Sequence, residues 1–215
     1  MRKLIAVVFV AAMVMVAQAG ASVVTSIPGG TVLPFPAVNY FGGPGPITFG
    51  PGVTWSSSNA DNGGGSVFGF TGSYNFGGNG QWTGALGPMA GLNAATDYFS
   101  VTDTMTFAFA TPVSAVGGFL NYLAGDSTPT IIQAWDSNGN LIESYDLTFT
   151  TTGADNTGAF YGFQESTRNI SYFTLTDNYI GITNLTVVAP EPSSLLLIGT
   201  GLLAAIGYSR RRLGL

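Results

Sequence analysis

Carboxylates are the side chains of this sequence best suited to acid–base chemistry near neutral pH. The 215 residues include eleven aspartates and glutamates but no histidine and no cysteine. These absences exclude Ser-His-Asp and Cys-His catalysis, disulfides, iron–sulfur clusters and Cys/His zinc sites. Paired carboxylates support glycoside hydrolysis, but the carboxylates here form no distinctive motif. We therefore expect no catalytic residue, no cofactor and no enzymatic activity; a hydrolase that uses two aspartates is the weaker alternative.

One acidic segment has the composition of a metal-binding loop. Residues 136–140 read Asp-Ser-Asn-Gly-Asn, which is rich in oxygen ligands for calcium. An EF-hand loop needs its glycine one position later and a glutamate at its twelfth position, and both are missing. An Asn-Gly pair between two apolar runs is typical of a β-hairpin turn. We expect a plain hairpin and no metal site, and calcium binding is the alternative.

The three tryptophans are the candidate ligand contacts. An exposed indole ring packs on the flat face of a sugar ring, so Trp55, Trp82 and Trp135 are candidate sugar contacts. The alternative is a role in the core, because large aromatic side chains of all-β domains are usually buried.

Alternating residues predict the strands that position these side chains. Between Val101 and Phe109, Met105 and Phe107 fall on one face while threonines fall on the other, which predicts a half-buried strand. Asp103 shares the apolar face, so either its carboxylate is half-buried or the face differs near the strand's start. Thr111-Pro112 is expected to break the strand.

The remaining pattern predicts an all-β fold. Apolar runs with turn signals every eight to twelve residues, and no convincing helical period, favour a single β-sandwich or jelly-roll-like domain over residues 20–189. The other predicted strands are Val113–Leu123, Ile131–Trp135, Leu141–Phe149, Phe160–Phe163, Ile170–Leu175 and Ile182–Val188. Within the first of these strands, Val113–Leu123, the pair Gly117-Gly118 predicts a bulge. Residues 27–91 are rich in glycine with spaced aromatics, which favours loop-rich β structure over disorder.

The amino end has the three parts of a secretory signal peptide. Arg2 and Lys3 precede an apolar run over residues 4–17, and Ala17 and Ala19 occupy the small-residue positions of a cleavage site. A signal helix over residues 1–19, cleaved by signal peptidase after Ala19 or alternatively after Ala21, is expected. A permanent anchor or a buried helix is the alternative, although the apolar run is short for a bilayer span.

The carboxyl end predicts a membrane-held tail. Pro190-Glu191-Pro192 is a stiff, extended tripeptide, and an apolar stretch follows from Leu195 to Tyr208. The arginine cluster Arg210, Arg211 and Arg212 ends the stretch, and basic residues stay on the cytoplasmic side of a membrane. We predict a transmembrane helix here, with the domain outside and a short basic tail inside.

Residues 190–215 resemble the PEP-CTERM sorting signal of bacterial surface proteins. The resemblance rests on Pro190, Glu191 and Pro192 placed before an apolar helix and an arginine cluster. It implies that the protein is the substrate of an exosortase, a membrane-embedded enzyme of Gram-negative bacteria that removes the tail. An inner-membrane-held precursor would then reach the cell surface or the exopolysaccharide matrix. An ordinary tail anchor after a proline linker is the alternative.

The preceding domain is more loosely similar to the β-sandwich cargos found ahead of this signal. That likeness covers about 90 residues, among them Thr104–Phe109 and Ile170–Leu175, and it implies a fold and a destination rather than an activity. Where such cargos often have an Asp-Asn pair in the final strand, this chain has Thr183-Asn184.

Charge excludes one class of partner. Residues 20–189 contain one arginine and ten carboxylates, a net charge of −9, and nucleic-acid binding requires a basic surface instead. The sequence therefore predicts an exported, non-enzymatic cell-surface or matrix protein associated with exopolysaccharide. A carbohydrate-binding module that acts on extracellular polysaccharide is the alternative.

Overall fold

Antiparallel strands are the main elements of the described part of the chain, which in the computed structural model comprises residues 21–61, 64–93, 102–125 and 129–188. The first eight strands are β1 Ser22–Val24, β2 Thr31–Leu33, β3 Tyr40–Phe41, β4 Ile47–Phe49, β5 Val53–Ser57, β6 Ser66–Phe70, β7 Tyr74–Asn75 and β8 Gln81–Trp82. The next eight are β9 Met89–Leu92, β10 Asp103–Val113, β11 Ala115–Tyr122, β12 Ile131–Trp135, β13 Leu141–Asp146, β14 Ala159–Gln164, β15 Ile170–Asp177 and β16 Ile180–Val188. A short 3-10 helix, Gly77–Asn79, joins β7 to β8.

Two sheets contain most of these strands and confirm the predicted all-β sandwich. The first sheet has eight strands in the order β1-β14-β11-β16-β9-β6-β3, and β2 pairs with the end of β16. The second sheet has six strands in the order β13-β12-β15-β10-β5-β4. The hairpin of β7 and β8 forms a separate pair. No helix in the described ranges is long and apolar enough to cross a membrane.

The main core lies between the two sheets because each long strand turns its apolar residues inward. Phe107 of β10 has its ring centroid 5.9 Å from that of Phe35 and 6.5 Å from that of Phe173 on β15. The Trp55 ring lies 5.1 Å from the ring of Phe68, which joins β5 of the second sheet to β6 of the first. Full burial of each such side chain stabilises the folded protein by roughly 1.5–3 kcal/mol relative to leaving that side chain exposed to water.

A second buried cluster covers the outer side of the first sheet. Val67 and Met89 turn away from the main core and pack with Tyr74, Phe76 and Trp82 of the β7–β8 hairpin. The Trp82 indole donates a 2.7 Å hydrogen bond to the carbonyl oxygen of Thr157. The glycine-rich part of the sequence thus forms short strands joined by loops, as predicted, in the ranges that the structure describes. The β7–β8 hairpin gives the first sheet a second apolar layer.

The predicted break at Thr111-Pro112 is wrong. The strand β10 runs on to Val113, and its pairing with β15 shifts register between Ala108 and Val113. Proline is tolerated at such an irregularity, where the ladder does not need its missing N–H. The predicted strand Leu141–Phe149 is also shorter in the structure, where β13 ends at Asp146.

The predicted bulge at the glycine pair is confirmed. The pairing of β11 with β16 shifts register between Gly117 and Phe119. Gly117 lies opposite Gly162 of β14. A Cβ atom added to Gly162 would lie 2.2 Å from the carbonyl oxygen of Val116. The two strands approach too closely at this point for any side chain.

Candidate functional site

The predicted sorting signal closely follows the last strand. Strand β16 ends at Val188, which is also the last described residue before the carboxyl-terminal segment. The motif residues Pro190, Glu191 and Pro192 and the arginine cluster lie outside the described residues, as do the predicted cleavage-site residues Ala17 and Ala19. The predicted signal helix and the predicted membrane helix lie outside them too.

An apolar cleft lies beside this exit from the domain. Val187 of β16 lines it together with Leu33 of β2, Val53 of β5, and Phe109 and Val113 of β10. The cleft has a volume of about 240 Å³, and none of its lining residues is charged. It therefore offers apolar packing and no acid–base group.

The candidate sugar contacts Trp55 and Trp82 need correction, because both side chains are buried. Trp55 is 0% and Trp82 is 2% exposed. The Trp55 ring packs against Tyr40 and Phe68, and the Trp82 ring packs against two other rings in the second cluster. Neither indole has a free face for a sugar ring in this fold. The core alternative is correct for both.

Trp135 has a different environment. It is the last residue of β12, is only partly buried, and points to the outer side of the second sheet. Its Nε1 donates a 3.1 Å hydrogen bond to the hydroxyl of Thr174 on the neighbouring strand. Tyr172 of β15 lies directly opposite Trp135 in the register and is 36% exposed. Of the three candidates, Trp135 therefore remains available for ligand contact.

Sequence reasoning missed Tyr172, although the signal was present. Phe173 and Leu175 are buried, so the residues that alternate with them, Tyr172, Thr174 and Thr176, fall on the opposite, outer face. The partner of Tyr172 on the next strand is fixed by the sheet register, which the sequence does not state.

The Asp136 carboxylate belongs to the turn between β12 and β13. It accepts hydrogen bonds of 2.8 Å from the backbone N–H groups of Asn138 and Asn140 and from the Asn140 side-chain amide. The hydrogen bonds from Asn140 lower the pKa of Asp136 most, and those from Asn138 lower it further. Gly139 has a φ of 79°, which suits the predicted tight turn. Within the described ranges, no three Asp or Glu residues are grouped so that they could hold a metal ion.

A buried pair of aspartates is the other polar group that the fold brings together. Asp103 of β10 and Asp177 of β15 are register partners, 8% and 0% exposed. Ser58 and Asn59 donate hydrogen bonds of 2.8 and 2.6 Å to the two oxygens of Asp103. The hydroxyl of Thr130 and two backbone N–H groups bond to Asp177. The predicted location of Asp103 on the apolar face is confirmed, and both carboxylates act as acceptors for loop donors.

Comparison with known proteins identifies the carboxyl-terminal segment. Residues 188–212 match the family model of the PEP-CTERM protein-sorting motif. The match includes the Pro-Glu-Pro tripeptide, the apolar stretch and all three arginines. No curated protein and no solved structure matches the chain. The motif supports export of the protein and its sorting by an exosortase to the cell surface. The chain is therefore a PEP-CTERM motif-containing protein whose cargo is a β-sandwich.

Proposed function

We propose that this chain is a non-enzymatic protein of the cell surface or extracellular matrix of a Gram-negative bacterium, where it associates with exopolysaccharide. The proposal also includes an inner-membrane-held precursor whose tail an exosortase removes. The observation that carries it is the sorting motif at residues 188–212, which begins at the last residue of β16. Because the motif starts at the end of the last strand, cleavage on its carboxyl-terminal side would release the whole β-domain.

The composition of the apolar stretch and of the domain in front of it supports a transient attachment to the membrane. The apolar stretch from Leu195 to Tyr208 is shorter than the roughly 20 residues of a comfortable span and contains three glycines. Three arginines behind it favour the cytoplasmic side. The domain in front of it has one basic residue and is strongly acidic, which suits a soluble cargo on the outer side.

The absence of catalytic chemistry is proposed from the sequence as a whole. The chain has no histidine and no cysteine to act as base or nucleophile. The apolar cleft between the sheets is lined by no charged residue. Asp103 and Asp177 are buried, and their oxygens accept hydrogen bonds from groups of the protein itself. These arrangements favour a structural or binding role.

Expression in cells with and without an exosortase tests the sorting step. We expect a shortened form at the surface or in the matrix when the enzyme is present, and a full-length, membrane-bound form when it is absent. Replacing Pro190, Glu191 and Pro192 by alanine should give the full-length form in both strains, whereas Thr200→Ala, in the apolar stretch, should be processed normally. Mature surface protein that still contains residues 191–210 by mass spectrometry would contradict the proposal.

A carbohydrate-binding module is the second candidate, and one observation favours it. Trp135 and Tyr172 are aromatic side chains at the surface of the second sheet, and their strands pair directly. Retention of the protein by exopolysaccharide extracted from a producing strain is the measurement that supports this candidate. Free passage of the protein through such material would remove both this candidate and the proposed exopolysaccharide association.

A further inference from the structure

The outer side of the second sheet is a polar and almost uncharged surface. Residues at alternate positions of five strands point outward there, and most are hydroxyl or amide side chains. We call this surface the hydroxyl face and define it by Thr54, Ser56, Thr104, Thr106, Gln133, Ser144 and Thr176, together with Thr174, which is only 9% exposed. Among the described residues, no third layer covers it, whereas the β7–β8 hairpin covers the first sheet.

Two aromatic rings stand at one end of the hydroxyl face. Trp135 and Tyr172 are neighbours across β12 and β15. Neither ring packs against another aromatic ring of the described chain, in contrast to Trp55, which packs against two. The hydrogen bond from Trp135 Nε1 to Thr174 fixes the edge of the indole, and the side chain as a whole is only partly buried. Fixed rings bind a partner at a low cost in side-chain entropy.

The charge of the hydroxyl face favours a neutral partner. Asp146 is the one charged residue at an outward position of these strands in the described ranges, and it lies at the end of the edge strand β13, opposite Ile131. The single arginine of residues 20–189, Arg168, lies outside these strands, so no outward position supplies a cation to an acidic polymer. The acidic charge of the domain as a whole repels such a polymer.

Hydroxyl groups match the remaining chemistry of a sugar. Each threonine hydroxyl donates one hydrogen bond and accepts others, and pairs such as Thr104 and Thr176, 2.8 Å apart, leave further capacity on both oxygens. Adjacent hydroxyls repeat at the strand spacing along an extended surface. A polymer of linked sugar rings presents hydroxyls at its edges and C–H groups on its ring faces, which fit such hydroxyls and an open aromatic ring.

We propose that the hydroxyl face binds a neutral polysaccharide, with Trp135 and Tyr172 stacking on successive sugar rings and the threonines bonding to their hydroxyls. This inference rests on the proposed association with exopolysaccharide and specifies its surface and the class of its ligand.

Affinity electrophoresis of the purified full chain tests the proposal. The probes are a soluble β-glucan and a galactomannan as neutral polymers, with alginate as the acidic comparison. A polyoxyethylene detergent is used because sugar-based detergents would compete for the surface. We expect retardation by at least one neutral polymer and none by alginate. Trp135→Ala and Tyr172→Ala should each weaken binding about tenfold.

Two further variants distinguish loss of a contact from loss of the fold. Trp135→Phe keeps an aromatic face and should retain binding within about threefold. Phe41→Ala removes a ring that is 55% exposed on β3 of the first sheet and should bind like the wild type. Thermal unfolding of all four variants is measured alongside, and the binding loss should exceed any shift in midpoint.

Several outcomes overturn the inference. They are binding of alginate alone, wild-type binding that Trp135→Ala and Tyr172→Ala leave unchanged, and retardation by none of the polymers. Self-association of the chain that Trp135→Ala abolishes would assign the face to a second copy instead. If the protein is still retained by native exopolysaccharide in these cases, the proposed function stands and only its assigned surface fails. Loss of that retention as well would remove both.

Discussion

Asp103 and Asp177 lie directly opposite each other on β10 and β15, with both carboxylates inside the sandwich. Each accepts hydrogen bonds from a different loop, Asp103 from Ser58 and Asn59 and Asp177 from Thr130. Buried carboxylates are stable only when they are hydrogen-bonded. The pair therefore fixes the loop after β5 and the loop before β12, and like carboxyl groups at directly opposite positions of a sheet are expected to repel each other.

A double-mutant cycle measures this balance. Asp177→Ala should destabilise the protein by about 2–4 kcal/mol and Asp103→Ala by about 1–3 kcal/mol, because each leaves buried donors without an acceptor. Either single change also removes the repulsion, so the double mutant should lose about 0.5–1 kcal/mol more than the sum of the singles. Urea unfolding at neutral pH gives the three values. Strict additivity would show that the two charges do not interact.

Truncation of Trp55 should destabilise the protein far more than truncation of Trp135. Trp55→Ala is expected to lose about 3–5 kcal/mol of stability, because it empties a fully buried site between the sheets. Trp135→Ala should lose less than about 1 kcal/mol, because its ring lies on the surface and makes one hydrogen bond. Chemical denaturation compares the two. A small effect at Trp55 would contradict its location in the core.

Gly162 should not tolerate a side chain. An added Cβ atom would lie 2.2 Å from the carbonyl oxygen of Val116 and 2.5 Å from Gly117 Cα, both of which are backbone atoms. Gly162→Ala should therefore lose about 2 kcal/mol or more as β11 and β14 separate. Gly78→Ala is the matched control, because nothing lies within 4 Å of its added Cβ atom. Thermal unfolding of both variants checks the difference, and equal midpoints would argue against the close approach.

Local patterns were sufficient to predict the strands of the second half of the domain. Alternation around Phe107 and Phe173 is strong because each strand has one face in a thick core, and β12 begins and ends where the sequence predicted. Pro112 misled because a register shift makes room for it, and a register shift depends on the partner strand. The carboxyl-terminal motif was also predictable, since it consists of consecutive residues.

The candidate site was harder to predict because burial is a property of the assembled fold. The three tryptophans end in three different environments: Trp55 faces the core, Trp82 belongs to the β7–β8 hairpin and is buried in the second cluster, and Trp135 faces outward. The pairings of Trp135 with Tyr172 and of Asp103 with Asp177 join residues 37 and 74 positions apart. Only the order and register of the strands bring such residues together.

Alkaline pH should unfold the protein through its buried tyrosines. Burial raises the pKa of the Tyr74 hydroxyl well above its ordinary value, and the adjacent Tyr179 raises it further. Burial also raises the pKa of Tyr179. In the unfolded chain both hydroxyls lose their protons near pH 10, while the folded protein retains them. The stabilisation is therefore complete below about pH 10 and is lost as the pH rises through the folded values.

The free energy of unfolding should fall above pH 10 by up to about 1.4 kcal/mol per pH unit for each such tyrosine. Tyr74→Phe should lose about 1 kcal/mol at neutral pH, because Tyr74 donates a hydrogen bond to the carbonyl oxygen of Leu92, and its alkaline slope should be shallower. Tyr172→Phe, which changes an exposed hydroxyl, is the control and should leave both quantities unchanged. Denaturant unfolding between pH 8 and pH 11.5, followed by tyrosinate absorbance, measures the slopes. If Tyr74→Phe kept the full wild-type slope, Tyr74 would not be the group responsible.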